Sequence, residues 1–96
     1  MEDATFEWDD KKAALNWRVH AVTFDMAREA FKDPFAVEWE DDAQGAAEPR
    51  FALIGMVEQR LLFVAYTMRG DRIRIISARK AESYERRKYH DKNRKT

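Results

Sequence analysis

The chain is predicted to fold as an α+β domain, an antiparallel sheet with two N-terminal helices and one C-terminal helix. Three observations predict it. Helix-compatible runs fill the first third of the sequence, the apolar period then switches to strict alternation, and a charged helix-forming run closes the chain. With 96 residues there is room for one core, so a single domain spanning 1–96 is expected.

Phe6 to Trp8 reads as a short first strand, and Asp9 or Asp10 can cap a helix from about Lys11 to Val19, whose apolar positions are Ala14, Leu15 and Trp17. Thr23 offers a second N-cap. Phe24, Ala27, Ala30 and Phe31 then share one face of a short helix that Asp33 and Pro34 end. From Phe35 to Glu40 the pattern alternates, placing Phe35, Val37 and Trp39 on one face of a strand. Asp41 to Pro49 reads as a loop. Phe51–Val57 and Leu61–Thr67 are apolar strands separated by three residues, which indicates a hairpin. Leu61–Thr67, apolar on both faces, should be central, and the strand from Phe35 an edge or half-exposed one. A turn at Arg69, Gly70 and Asp71 leads into a strand within Asp71–Ala81, and Glu82 to about Lys92 forms the last helix before a basic tail. The helices are expected on one sheet face, leaving the other partly free.

The zero net charge conceals a segregation of sign. Met1 to Pro49 holds 13 acidic and 5 basic residues, and Arg50 to Thr96 holds 13 basic and 5 acidic ones. In the stretch DRIRIISARKA, Ile73, Ile75 and Ile76 suit a half-buried strand while Arg72, Arg74, Arg79 and Lys80 must reach water or an anion. That combination predicts a displayed basic surface whose natural partner is nucleic acid. The plainer alternative is that the two halves intermix their charges on folding.

Several function classes are excluded. Cysteine is absent, so neither disulfides nor thiolate metal sites exist. There is no glycine-rich phosphate loop, no His pair at ligand spacing and no nucleophile elbow, so no cofactor or metal is expected. The N-terminus lacks a signal-peptide pattern and no segment nears the ~18 apolar residues of a membrane span. A cytoplasmic protein that does not engage membranes is the expectation.

FEWD at Phe6–Asp9, Asn16 and His20 at N-x-x-x-H spacing, V-x-F-x-x-A from Val22, F-x-D-P from Phe31, T-x-R-G from Thr67 and RIISARKA-x-x-x-ERR-x-Y from Arg74 to Tyr89 occur in order over nearly the whole chain. Together they resemble the BrnT family of toxins. The resemblance implies a RelE-like fold, a type II toxin that cleaves RNA and arrests translation, and a cognate BrnA-type antitoxin whose ribbon-helix-helix module carries the complex to operator DNA. One departure stands out. Where the family commonly has Lys-His-Gly-Val, this chain has Val19, His20, Ala21 and Val22, so either the turn after the first helix avoids positive φ or it takes it at a steric cost.

Metal-free RNA cleavage needs a base for the 2′-hydroxyl, an acid for the leaving 5′-oxygen and cations for the charge developing on phosphate. Arg74, Arg79 and Lys80 are the candidate phosphate clamp, Arg for its planar fork and Lys as a point charge. Histidine is the side chain that ordinarily titrates near neutrality, which makes His20 a candidate acid or base. Tyr89 is the remaining catalytic candidate, on one helix face with Glu85, which is expected to pair with Arg79, Arg86 or a strand arginine and so orient the clamp. Arg69, Arg72, Arg86 and Arg87 are candidate RNA contacts. Each has a plainer alternative: His20 as a cap, Tyr89 as a core anchor, the Arg86–Lys88 run as a solvated face. Trp8, Trp17 and Trp39 lie in the acidic half and read as core or antitoxin-facing. The rival functional reading is a non-catalytic module that only grips nucleic acid or an acidic antitoxin.

Overall fold

In the computed structural model, residues 1–41 and 47–94 are described. The chain runs β1 (Phe6–Glu7), α1 (Asp10–His20), α2 (Phe24–Ala30), β2 (Val37–Asp41), β3 (Arg50–Val57), β4 (Arg60–Arg69), β5 (Arg72–Lys80) and α3 (Ser83–Lys92). The sheet order is β1-β5-β4-β3-β2. As expected, β4 is central and β2 is an edge. The sheet is not wholly antiparallel: β2 to β5 form an antiparallel meander, and β1 adds to β5 in parallel through the pairs Phe6↔Ile73 and Glu7↔Arg74.

The helices cap as their sequences require. Asp9 accepts from the Lys11 and Lys12 amides at 2.8 and 3.2 Å, and Thr23 from the Met26 amide at 3.0 Å. α2 lies against β3, β4 and β5, burying Phe24, Ala27 and Ala30 with Leu53, Leu62, Val64, Tyr66 and Ile75. A Cβ at Gly55 would overlap the Ala30 carbonyl oxygen, so glycine is what lets α2 approach β3 this closely. The helices do not all share one face. α3 packs against β2 and β3 from the other side, where Val37, Ile54, Leu61, Ala81 and Tyr89 form a second, smaller core. The sequence missed this because period-2 alternation assigns residues to faces without saying which helix covers each.

Two local expectations also change. Phe35 is 60% exposed and precedes β2, because Asp33 accepts its amide in a turn at 2.8 Å and the strand starts at Val37. Asp41 belongs to β2, paired with Arg50, so the loop expected from Asp41 begins later; residues 42–46 lie outside the described residues, as does the end of the basic tail.

α1 takes an unusual position. Its only buried side chain is Asn16, whose Nδ2 donates to the Val22 and Ala78 carbonyls at 2.8 Å each and whose Oδ1 accepts from the Ala78 amide at 3.1 Å. The amide group thus stands in for a neighbouring strand on the edge of β5, beyond the point where β1 ends. The helix then stops at Ala21, which takes φ 55°, ψ 34° and returns its amide to the Trp17 carbonyl. Positive φ is therefore adopted, at steric cost.

Two outcomes follow from these contacts. Asn16→Leu strands two buried carbonyls and one amide and should lower unfolding free energy by about 3 kcal/mol or more, read by denaturant titration. Ala21→Gly removes the left-handed penalty and should raise stability by about 1 kcal/mol in the same assay.

Candidate nucleic-acid interface

Five positions separate Arg74 from Arg79, an odd number that would put them on opposite faces of a regular strand. A register shift changes this. Opposite Ala65 and Tyr66, β5 carries one extra residue, so Arg74 pairs with Thr67 and Arg79 with Phe63. Thr67, Ala65 and Phe63 are alternate residues of β4 and share a face, so both arginines project from the side that α1 and α2 leave open. The same shift sends Lys80 the other way, opposite Leu62 of the main core.

The floor between the arginines is made of small side chains. Trp39 pairs with Ala52, Ala52 with Ala65 and Ala65 with Ser77, forming one row across four strands. On one flank of this row, Lys12, Arg50, Thr67, Arg69, Arg74 and Ile76 line a cavity of about 200 Å³ together with Ala47 and Glu48. On the other flank stand Phe63 and Arg79. The result is a trough with cationic walls.

Carboxylates fix the arginines in place. Arg74 donates to Glu7 at 2.6 Å, a bond made possible by the β1–β5 pairing of these two residues. Arg79 holds Glu85 through two bonds of 2.8 and 3.0 Å, donates a third to the Lys80 carbonyl, and lies 4.3 Å over the Phe63 ring. Arg69 grips Glu48 at 3.1 and 3.2 Å. Burial pushes the Glu85 carboxyl up, but the Arg79 bonds and the Glu82 amide outweigh it and hold Glu85 below the usual carboxylate range. Contact with Glu85 in turn raises Arg79. Arg74 and Arg79 keep side-chain exposures of 22% and 28%, so both remain reachable from solvent, whereas Glu85 at 1% is a structural counter-ion.

The other sequence-selected residues divide by location. His20 is exposed at the end of α1 and lines a cleft of about 300 Å³ with Lys12, Leu15, Val19, Ile76 and Ser77, on the α1 border of the trough. Lys80 sits with Arg60 and Arg86 around a separate cavity at the far end of the sheet. Arg86 donates to the Ala81 carbonyl and Ser83 hydroxyl, and Arg87 is exposed. Arg72 is tied to the N-terminal segment through the Asp3 carbonyl at 2.7 Å and Glu2 at 3.5 Å. Tyr89 is buried and its hydroxyl donates to Asp33 at 2.7 Å.

Lys12, Arg50 and Glu7 carry no site signal in the sequence, and Trp39 reads there as core or antitoxin-facing; Arg50, Glu7 and Trp39 reach the trough through strand pairing, and Lys12 through the seat of α1 beside β5. Asp33 was read as a helix stop, yet its carboxylate also accepts from the Met56 amide at 2.8 Å. Burial raises its pKa, but the Met56 and Phe35 amides and the Tyr89 hydroxyl overcome this and hold it low. Burial and the Asp33 charge together push Tyr89 up to about 12. A lowered carboxyl stabilises the fold above its ordinary titration range, and that contribution is lost as pH falls through the folded-state value. Tyr89→Phe should therefore cost about 1.5 kcal/mol at pH ~7, and the difference from wild type should shrink by pH ~3, as measured by urea titration at both values.

No curated protein matches the chain. The family model described as the ribonuclease toxin BrnT of type II toxin-antitoxin systems matches residues 8–85, from Trp8 beside β1 to the Glu85 that anchors Arg79. The chain therefore belongs to the BrnT family of type II toxin-antitoxin ribonuclease toxins.

Proposed function

We propose that this chain is a metal-independent endoribonuclease that arrests translation, binding RNA along the trough of the open sheet face. Membership of a ribonuclease toxin family supplies the reaction class. The observation that carries the assignment of the site is the placement of Arg74 and Arg79 on one face, flanking a floor of Ala52, Ala65 and Ser77, each arginine held by a carboxylate. A single strand can lie on small side chains without meeting an obstacle, and positioned guanidiniums match phosphate oxygens.

In this reading the 2′-hydroxyl attacks the adjacent phosphorus, the bond to the 5′-oxygen breaks, and a 2′,3′-cyclic phosphate is left. Arg74 and Arg79 stabilise the charge on the non-bridging oxygens. His20, at the α1 border, is the group proposed to move protons. Lys80, on the opposite face with Arg60 and Arg86, fits a peripheral phosphate contact better than the clamp, and Tyr89 fits an anchor for α3. The proposal includes a RelE-like relationship for the fold, a BrnA-type antitoxin with a ribbon-helix-helix module, operator DNA reached only through that antitoxin, and a cytoplasmic setting. Among the described residues no helix is long and apolar enough to cross a membrane.

A second reading is favoured by two observations. Arg79 already commits three donor bonds inside the protein, and Tyr89, a catalytic candidate, is buried with its hydroxyl given to Asp33. On this reading the face binds RNA or an acidic partner without cleaving.

Digestion of RNA in the presence of EDTA decides between them. Cleavage should persist with chelator, yield cyclic-phosphate ends and fall by about 10²–10³ in Arg74→Ala. Arg74→Lys should stay strongly impaired if catalysis needs the planar fork; near-normal binding with no cleavage by the wild type would establish the second reading instead. Affinity for a single strand should fall with salt at a log–log slope of about −2 to −3, the value for three to four phosphate contacts.

A further inference from the structure

The trough ends at Trp39, and the way that ring is covered sets it apart from the other two tryptophans. Trp8 is buried in the main core and Trp17 projects from the outer face of α1 at 53% exposure. Trp39, on β2, is half-buried on the open face. Its ring is covered by the Lys88 ammonium, whose Nζ lies 3.9 Å from the centroid. On the sheet, Phe63 lies 6.1 Å away, tilted by 59°, and the Arg79 guanidinium covers Phe63 in turn. Lys88, Trp39, Phe63 and Arg79 thus form a cation–aromatic–aromatic–cation series along one wall of the trough.

This arrangement is a poor device for stability alone. A core tryptophan is ordinarily covered by carbon, and an exposed ammonium on an aromatic face is worth little against water. Lys88 makes no ion pair among the described residues, so nothing else fixes it over the ring. An unpaired nucleobase gains more by stacking on such a ring than the ammonium does, and the displaced ammonium can take the adjoining phosphate.

We propose that Trp39 is a stacking platform for an unpaired RNA base, with Lys88 as a movable cover that turns to that nucleotide's phosphate. The inference rests on reading the trough as the RNA site and adds a base contact to it. Trp39 lies three strand spacings, roughly 14 Å, from β5. The stacked base is therefore not the one beside Arg74 and Arg79 but belongs to a flanking nucleotide of the same strand. Every base has a π-face, so the platform holds the strand in place without reading a particular sequence.

The test uses a short oligoribonucleotide made uncleavable by 2′-O-methyl groups and the full chain carrying Trp17→Phe, which leaves buried Trp8 and Trp39 as reporters. Binding should quench tryptophan fluorescence. Trp39→Leu should weaken affinity on the order of ten- to a hundredfold, and Trp39→Phe should recover most of it. An oligonucleotide carrying abasic sites should lose affinity for the wild type and little further for Trp39→Leu. Unquenched fluorescence on saturable binding, or a folded Trp39→Leu that binds as tightly as wild type while Arg74→Ala does not, overturns the platform and leaves the trough standing. If Trp39→Leu unfolds, the quench and the Trp39→Phe affinity decide. No binding by the wild type overturns the reading of the trough itself.

Discussion

The edge of β5 and its one-residue bulge are the constraint on which the rest of this molecule depends. Past Glu7 no strand among the described residues continues along that edge, so the backbone groups of Ala78 need another partner, and Asn16 supplies it with a donor and an acceptor. That pair of bonds fixes α1 alongside the sheet and not on top of it. Because α1 lies at the edge, it leaves free the part of one sheet face that α3 does not cover, while bringing Lys12 and His20 to its border. The bulge then selects which of the β5 cations occupy that face. Without the extra residue, Arg74 would share a side with Lys80; with it, Arg74 shares a side with Arg79.

Charge follows the same topology. The acidic first half and basic second half do not stay apart: Glu2, Glu7 and Glu48 meet Arg72, Arg74 and Arg69. Folding thus intermixes the signs at three of the positions where the sequence suggested bare cations. Pairing does not abolish the basic face, since Lys12, Arg50 and Lys88 also border it and form no ion pair among the described residues. What the carboxylates supply is rotameric order. A surface arginine holds many conformations, and tying one end to Glu7 or Glu85 spends that entropy during folding and not during binding.

The sequence carried much of this fold through local signals. Asp9 and Thr23 as caps, the Phe24–Ala27–Ala30 face, the tight β3–β4 hairpin and the central place of β4 are all encoded within a few residues of where they act. The site was less legible, because it is assembled by pairings between distant segments. Period-2 counting places Arg74 and Lys80 together and Arg79 apart, and no residue between Ile75 and Ala78 announces the bulge that reverses this. Trp39 reads as core or antitoxin-facing because it lies in the acidic half, yet Glu38 and Glu40 point to the other side of β2, while Trp39 sits on the side of the cations. Asn16 and Asp33 were read as a motif position and a helix stop. Their use lies in backbone groups of β5 and β3, contacts that sequence spacing does not reveal.

Arg79 joins structure and chemistry in one side chain, and the join explains why arginine is required there. Glu85 is almost inaccessible to water, and its ionised carboxylate is held by the parallel N–H pair of Arg79 together with the Glu82 amide. Lysine can offer the charge but not the parallel pair of donors, so an exchange would give up one of these bonds even with net charge preserved. Removing Arg79 altogether strands a buried charge, a loss of about 3 kcal/mol or more, and would lower activity through unfolding whatever the residue does to RNA. Arg74 lacks this ambiguity, because Glu7 stays partly exposed and can be rehydrated when its partner goes. The two arginines thus look equivalent across the trough while differing in what they hold up, and it is Arg74 whose loss reports on chemistry.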